Sequence, residues 1–597
     1  MRVVNSTVFS NRGGGAACSS CYPVQTFRRF DTGAGLADVV DKVGGTNPAG
    51  EDTPLGTLTG GQSVSTIFIN ASGIIDVDFG FNFNTIVNTN EDGQGSFDQF
   101  IINANNLDES GLDIEANAIF DLGTGEDVSI FVIPSSSDPM GLTADGGFAS
   151  GYFDIFYNDT VNPKDLTSNN LIIDGRTQTA YSGNTNLGSV GASRNTVGTT
   201  MVNLPNYERL EIQIQRNAGD VIVNNGNNNV IRHISIFANN NSGIRIGTGS
   251  LTKESNLIGV NALGNNAGNI DIGIENQGGN IQAIGNYVST NSDSGIVLNG
   301  GTSSLVQLNH ITTNGITSCD DNIRISGGSG IIIQQNLIEN AATLGINATS
   351  YFNGLSLTEN TITFLGRIVS NCGAGPENMG VELNGGNSTI SYNVFHSNGG
   401  TGFATTGNGT ANTITQNSFY NNGTTTDALG IDLLGDGVTL NDSGDVDSGF
   451  NNLLNFPIIE TANINGTSVI VTGWSIPGAT MEFFLTDISE GTAVAGANQL
   501  GLSTDYGEGQ VFIGSFVEGS GADTNSKTSS YLDLDNNTDN TNQFTFIFSI
   551  PLGVTPGKDI TATATVANST SEFSPMSTLK TFTVITNRRI TYRIKKN

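Results

Sequence analysis

The chain has 597 residues, of which 78 are Gly and 13% are Asp, Glu, Lys or Arg. That is about half the usual charge density of about 25%, and with 36% apolar residues it excludes disorder and suggests a folded, turn-rich β protein. Lys plus Arg number 23 against 55 for Asp plus Glu, a net charge of −32, which repels phosphate backbones and excludes nucleic acid as a partner.

Residues 1–85 hold alternating segments such as STIFINASGIIDVDFGFNF, read as an incomplete β-rich module. The start lacks the apolar core of a secretory signal although the composition is that of an exported protein, so we expect an internal piece of a longer one. No apolar run approaches the roughly 18–20 residues of a membrane span. Cys18 and Cys21 have C-x-x-C spacing without a second pair or nearby His, which fits a local disulfide or an inert pair better than zinc.

From Ile86 the segment IVNTNEDGQGSFDQFIINANN places Ser96 and Gln99 at capping-box spacing. Phe97, Phe100, Ile101 and Ala104 follow at helical intervals, predicting a short amphipathic helix near 96–105. The segments IFVIPSSS and NLIIDGRTQT read as early strands.

A repeat then takes over. Asn261, Asn286, Asn309, Asn336, Asn360, Asn393 and Asn417 each sit among short β-branched or aromatic runs, at intervals of 25, 23, 27, 24, 33 and 24 residues. Upstream, VIRHISIFANNNSGIRI has the same phrase with Arg232 in the Asn position. Gly-apolar pairs follow, including Gly295-Ile296, Gly345-Ile346, Gly380-Val381, Gly402-Phe403 and Gly430-Ile431, and suit bends needing positive φ or close backbone approach. The period is too short for a propeller blade and lacks the leucine-rich frame. It predicts a parallel β-solenoid with rungs about 4.8 Å apart and the asparagines stacked as a hydrogen-bonded ladder.

Within the repeat, SCDDNIRI offers Asp320, Asp321 and Arg324 as catalytic candidates. Adjacent carboxylates on a strand point to opposite faces, so they can act as an acid/base pair only in a loop or bulge. His233 and His310 both follow the Asn position and are expected on one outward face, about 14 Å apart, too far to share a metal. His396 lies in a different position. Cys319 and Cys372 are about two rungs apart, ~9–10 Å, beyond disulfide reach, so free thiols are expected. Asp442, Asp445 and Asp447 in NDSGDVDSGFNN could wrap Ca²⁺ in oxygen ligands, though not with EF-hand spacing. The loop YLDLDNNTDN is a second acidic stretch.

After Pro457 the pattern becomes SVIVTGW, ATMEFFLTD, GQVFIGSF, NQFTFIFSI and ITATATV, spaced short strands that suggest an antiparallel sandwich over 456–585. A basic tail occupies 586–597.

The repeat resembles the right-handed parallel β-helix of the pectate-lyase-like superfamily over roughly 86–455, most clearly over 228–430. The helix-forming segment resembles the entry motif of bacterial surface β-helix proteins, with Phe97 and Asp98 where that family has Leu-Arg. The segment from Gly430 resembles their exit, and NSTSEFSP resembles the last strand of Ig-like modules from bacterial surface proteins. The expected fold is therefore all-β, a right-handed parallel β-helix followed by an Ig-like antiparallel β-sandwich. The resemblance implies an extracellular or cell-surface module, structural, adhesive or glycan-binding, joined to other domains. The alternative it leaves open is a lyase or glycoside hydrolase acting on acidic polysaccharide in a groove on the helix. Of the N-T-D, G-H-G and R-I-K phrases of polygalacturonases, none lies in the repeat: Asn537-Thr538-Asp539 and Arg593-Ile594-Lys595 come only after it, and G-H-G does not occur.

Overall fold

The computed structural model describes the chain apart from 1–19, most of 40–78, 108–126, 138–142, 159–163, 269–270, 367–377, 426–427, 487–505, 533–537, 583–597 and isolated positions. The chain forms two compact units. One comprises Met1–Val197 with Met201–Ile346, the other Asn347–Asn597 with Gly198–Thr200.

In the first unit, strands Val24–Asp31, Leu36–Val39 and Phe79–Asn82 form a small antiparallel sheet within the 1–85 segment. The expected helix spans Phe97–Asn106, and the Ser96 side chain accepts from the backbone N–H of Gln99. Half of the capping box is realised. The Gln99 amide instead donates to Ser20 O and Asn103 Oδ1, which pins the helix to the segment before it. Phe97 and Phe100 are buried, and the Phe97 ring stacks on Phe131 beside the first rungs. NLIIDGRTQT divides into a strand, Leu171–Asp174, and a helix, Arg176–Ser182, which was not foreseen.

Three parallel sheets follow. Asn229–Arg232, Ser250–Glu254, Asn280–Ile284, Ser304–Gln307 and Ile331–Gln334 stack in the first. Ser235–Ala238, Leu257–Ile258, Tyr287–Ser289, His310–Thr312 and Leu337–Glu339 stack in the second. Ile222–Asn224, Ile244–Ile246, Ile274–Asn276, Ile296–Asn299 and Ile323–Gly327 stack in the third. Inward Ile, Leu and Val columns such as Ile244, Ile274, Ile296 and Ile323 fill the interior. The second unit repeats the plan with three rungs and then two mostly antiparallel sheets. These pack Val469, Val471, Phe544 and Phe546 against Met481, Phe483, Ile560 and Ala562.

Each rung turns from the first sheet to the second through one left-handed residue. His233, Ser255, Gly285, Leu308 and Gln335 occupy this corner in the first unit, and Glu359, Tyr392 and Gln416 in the second, with φ between 52° and 63°. The next residue is the ladder position. Asn256, Asn286 and Asn309 each donate from Nδ2 to the Oδ1 of the following asparagine, Asn286, Asn309 and Asn336, at 3.0, 3.0 and 2.9 Å. Each Oδ1 also accepts a backbone N–H, and the remaining Nδ2 hydrogen of Asn286 and Asn309 reaches Lys253 O and Ala283 O. In the second unit Asn360, Asn393 and Asn417 form the same chain.

The structure corrects two positions in the predicted ladder. Asn261 lies in a turn, where its Oδ1 caps Leu263 N and Asn265 N, and Asn256 holds the ladder place. Arg232 pairs in register with Glu254, so the residue in the Asn position of that rung is Ile234. His233 is therefore a corner residue, while His310 starts a strand paired with Tyr287 and Leu337, so the two do not share an outward column. The Gly-apolar glycines serve close approach rather than positive φ. A Cβ on Gly273 would meet Asn291 Nδ2 and Gly295 O at 2.7 Å, and one on Gly380 would lie 2.2 Å from Gly402 O.

Replacing Asn309 by Leu strips partners from buried groups on both neighbouring rungs and should cost on the order of 3 kcal/mol. Asn261→Ala removes one turn cap and should cost less than about 1 kcal/mol. Equal urea midpoints for the two variants would contradict the ladder's role.

Candidate functional site

Gly315 and Cys319, both at positive φ, shape the turn that leads into Ile323–Gly327, where Ile323 and Ile325 point inward and Arg324 outward. Asp320 Oδ2 accepts from Arg324 Nη1 at 2.6 Å, and its Oδ1 accepts from Ser294 Oγ at 2.8 Å. Asp321 turns the other way. It is buried, and its Oδ1 accepts from Thr343 Oγ1 and Leu344 N, so it braces a turn and does not join Asp320.

The partner of Asp320 is instead Asp293, one rung earlier, which lies 3.5 Å from Arg324 Nη1 and hydrogen-bonds to Asp320. Asp271, a rung before that, hydrogen-bonds to Asp293. Asp271, Asp293 and Asp320 thus form a carboxyl strip closed by Arg324. Burial, then the hydrogen bond and charge of Asp320, push Asp293 up to about 6. Burial also acts to raise Asp320, but the hydrogen bond with Asp293 and the Arg324 charge outweigh it and hold Asp320 below the ordinary carboxylate range. Burial and Glu275 raise Asp271. Near pH 6 the strip holds a protonated carboxyl beside an ionised one. The signal missed in the sequence is the recurrence of Asp one rung apart at 271, 293 and 320.

His310 is buried under the segment carrying Val190, Leu204 and Tyr207. Its Nδ1 accepts from Ala192 N, and its Nε2 lies 2.9 Å from Glu339 Oε1. Burial and the nearby Arg176 hold His233 below its usual pKa. The His396 ring stacks on Tyr420 at 4.8 Å. No described cysteine is free. Cys21 and Cys319 are disulfide-bonded, which overturns the expected free thiol at Cys319, while Cys18 and Cys372 lie outside the described residues.

Asp442, Asp445 and Asp447 offer carboxylate oxygens all within 4.8 Å of one another. The turn is held by Asn455, which donates from N to Asp445 Oδ1 and accepts at Oδ1 from Asp442 N. Burial, then the charges of Asp442 and Asp445, push Asp447 up to about 6, and burial also raises Asp445. Asp442 Oδ1 and Asp447 Oδ1 are buried atoms without a hydrogen-bond partner. A bound cation would relieve both the crowding and the missing partners. In the second acidic loop, Asp533 and Asp535 lie outside the described residues.

The family model for the periplasmic copper-binding protein NosD matches residues 279–432, the stretch that holds Asn286 through Asn417. That match covers 154 of the 597 residues, within the stacked parallel sheets. No curated protein matches the chain. Among solved structures, the β-helix chain is similar to full-length tailspike protein 2 from Escherichia coli O157:H7 bacteriophage CAB120. The identity is 10% and the TM-score 0.24, over 72% of this chain and 64% of that one. It is also similar to the enzymatically active domain of bacteriophage CBA120 tailspike protein 2, at 11% identity and TM-score 0.25, over 72% of each chain. Neither likeness is close enough to carry an activity across. Among the described residues, His233, His310 and His396 do not join in a donor cluster of the kind copper favours. Among the described residues, the one cluster able to hold a metal is all carboxylate.

Asp320→Asn should bring Asp293 down toward the ordinary carboxylate range, followed by NMR titration of the side-chain carbonyls. An unmoved Asp293 would mean that the two do not share a proton.

Proposed function

We propose that the chain is a non-catalytic module of an exported multidomain protein, a β-helix scaffold with an Ig-like neighbour that serves in adhesion or binds a polysaccharide or cell-surface glycan. The observation that carries this reading is that Asp293 and Asp320 both lie on one nitrogen, Arg324 Nη1, at 3.5 and 2.6 Å, so the carboxyls engage the guanidinium rather than face each other across a substrate. The disulfide-bonded Cys21 and Cys319 support an oxidising, extracytoplasmic setting. A polysaccharide lyase or hydrolase is the second reading, favoured by one feature, a protonated carboxyl beside an ionised one and a guanidinium on an outer face.

Ca²⁺ at Asp442, Asp445 and Asp447 belongs to the first reading as a brace for the loop that precedes the sandwich.

Incubated with acidic and neutral polysaccharides, the full chain should retain one or more on an affinity gel and release neither reducing ends nor unsaturated uronates. Products that disappear in Asp293→Asn would establish the enzyme instead. Millimolar Ca²⁺ should raise the melting temperature by a few degrees, EDTA should reverse the effect, and Asp447→Asn should abolish it. A wild-type melt indifferent to Ca²⁺ would rule the brace out.

A further inference from the structure

The last rung of the solenoid meets the sandwich through buried acids. On the first sheet, Glu482 accepts from Thr415 Oγ1 and Gln416 N at 2.5 and 2.9 Å. On the second, Glu508 accepts from Asn422 N and Nδ2 at 3.2 and 2.7 Å. On the third, Glu572 accepts from Leu433 N and Thr439 N, both at 2.9 Å, and from Thr439 Oγ1. Asp432 holds the same 432–439 loop from within, accepting from Leu434, Gly435 and Gly437 N–H groups. NSTSEFSP supplies the covering edge here, with Thr570 N donating to Asn412 O and Thr570 Oγ1 accepting from Ile414 N.

All four carboxyls are buried. The facing segments 405–440, 480–486, 506–517 and 559–574 contain no Lys, Arg or His, and their other acids include Asp436, which is exposed, and Asp559, which is bound to Thr578. Opposite charge therefore cannot offset their desolvation, and only N–H and O–H donors can.

We propose that this junction is a protonation-dependent latch, in which the buried Glu572 and Asp432, without a basic side chain in the facing segments, hold the sandwich on the solenoid most firmly while they are neutral and less firmly as both ionise. Burial is the first cause that raises Glu572, Asp432 and Glu482, and Glu572 and Asp432 each face a further acid. With folded values above unfolded ones, the contribution is fully present below about pH 3.9, the lower of the two unfolded values, and is lost as pH rises through the raised values.

The test uses the full chain and the fluorescence of Trp474, its single Trp, which lies in the sandwich strand Ser468–Ser475. The Trp474 transition should fall by about 5 °C or more between pH 5 and pH 8, and Glu572→Gln should at least halve that fall. Asp432→Asn serves the same purpose if the first variant does not fold. Glu460→Gln, an exposed sandwich acid, should keep the wild-type slope. Parallel curves for wild type and both junction variants, or equal flattening in Glu460→Gln, would overturn the latch.

Discussion

The fold depends on a buried asparagine amide placed one residue after a left-handed corner. A solenoid rung must turn sharply at fixed places, and left-handed backbone costs about 1–2 kcal/mol for a residue other than glycine. The turn also brings backbone groups into the interior, where an unpaired N–H is expensive. The asparagine resolves both demands. It accepts the N–H of the preceding rung and passes its own amide hydrogens to the next rung and back to a strand carbonyl. Corner residues as unlike as Leu308, Gln335 and Tyr392 are therefore tolerated at positive φ, because the amide beside them carries the constraint.

Stacking moves the cost to the ends, since each ladder needs a terminus. Within the first unit, the Phe97–Asn106 helix packs its aromatic face beside the early rungs. Within the second, glutamates from the sandwich meet last-rung N–H groups at Gln416, Asn422 and Leu433, and Asn451 meets that of Asn412. A glutamate can close a ladder because its carboxyl oxygens accept hydrogen bonds, but once ionised it brings charge into a place that lacks a counterion. The same physics acts at Asp293 and Asp447, where crowded acids raise one another. An acidic chain with few bases has little else with which to balance buried carboxylates.

Much of this was legible in the sequence. Asn286 through Asn417 could be aligned because the rung length varies little and inward positions admit few residue types. Asn261 was misplaced because a turn asparagine in VNALGNNAG lies within a few residues of the true ladder position at Asn256, and spacing alone cannot separate an exposed cap from a buried amide. Arg232 was assigned to the ladder position because the charged pair that it makes with Asp174 and Glu254 lies across rungs. Asp320 was identified, but its neighbour in the chain, Asp321, was taken for its partner when the partner was Asp293.

The sequence by itself determined the architecture: a periodic β-solenoid, its buried asparagines, a helix at its start and a change of rhythm after Pro457. Those features follow from local periodicity and from the side chains a buried, repeating position can accept. Only the tertiary structure decided which acids meet. Asp271, Asp293 and Asp320 come together because parallel stacking brings residues separated by a whole rung to about 4.8 Å in register. Glu572 reaches the loop that Asp432 holds because the returning NSTSEFSP segment lies over the open edge. Such meetings depend on register and on how a distant segment docks, and neither leaves a periodic trace in the chain.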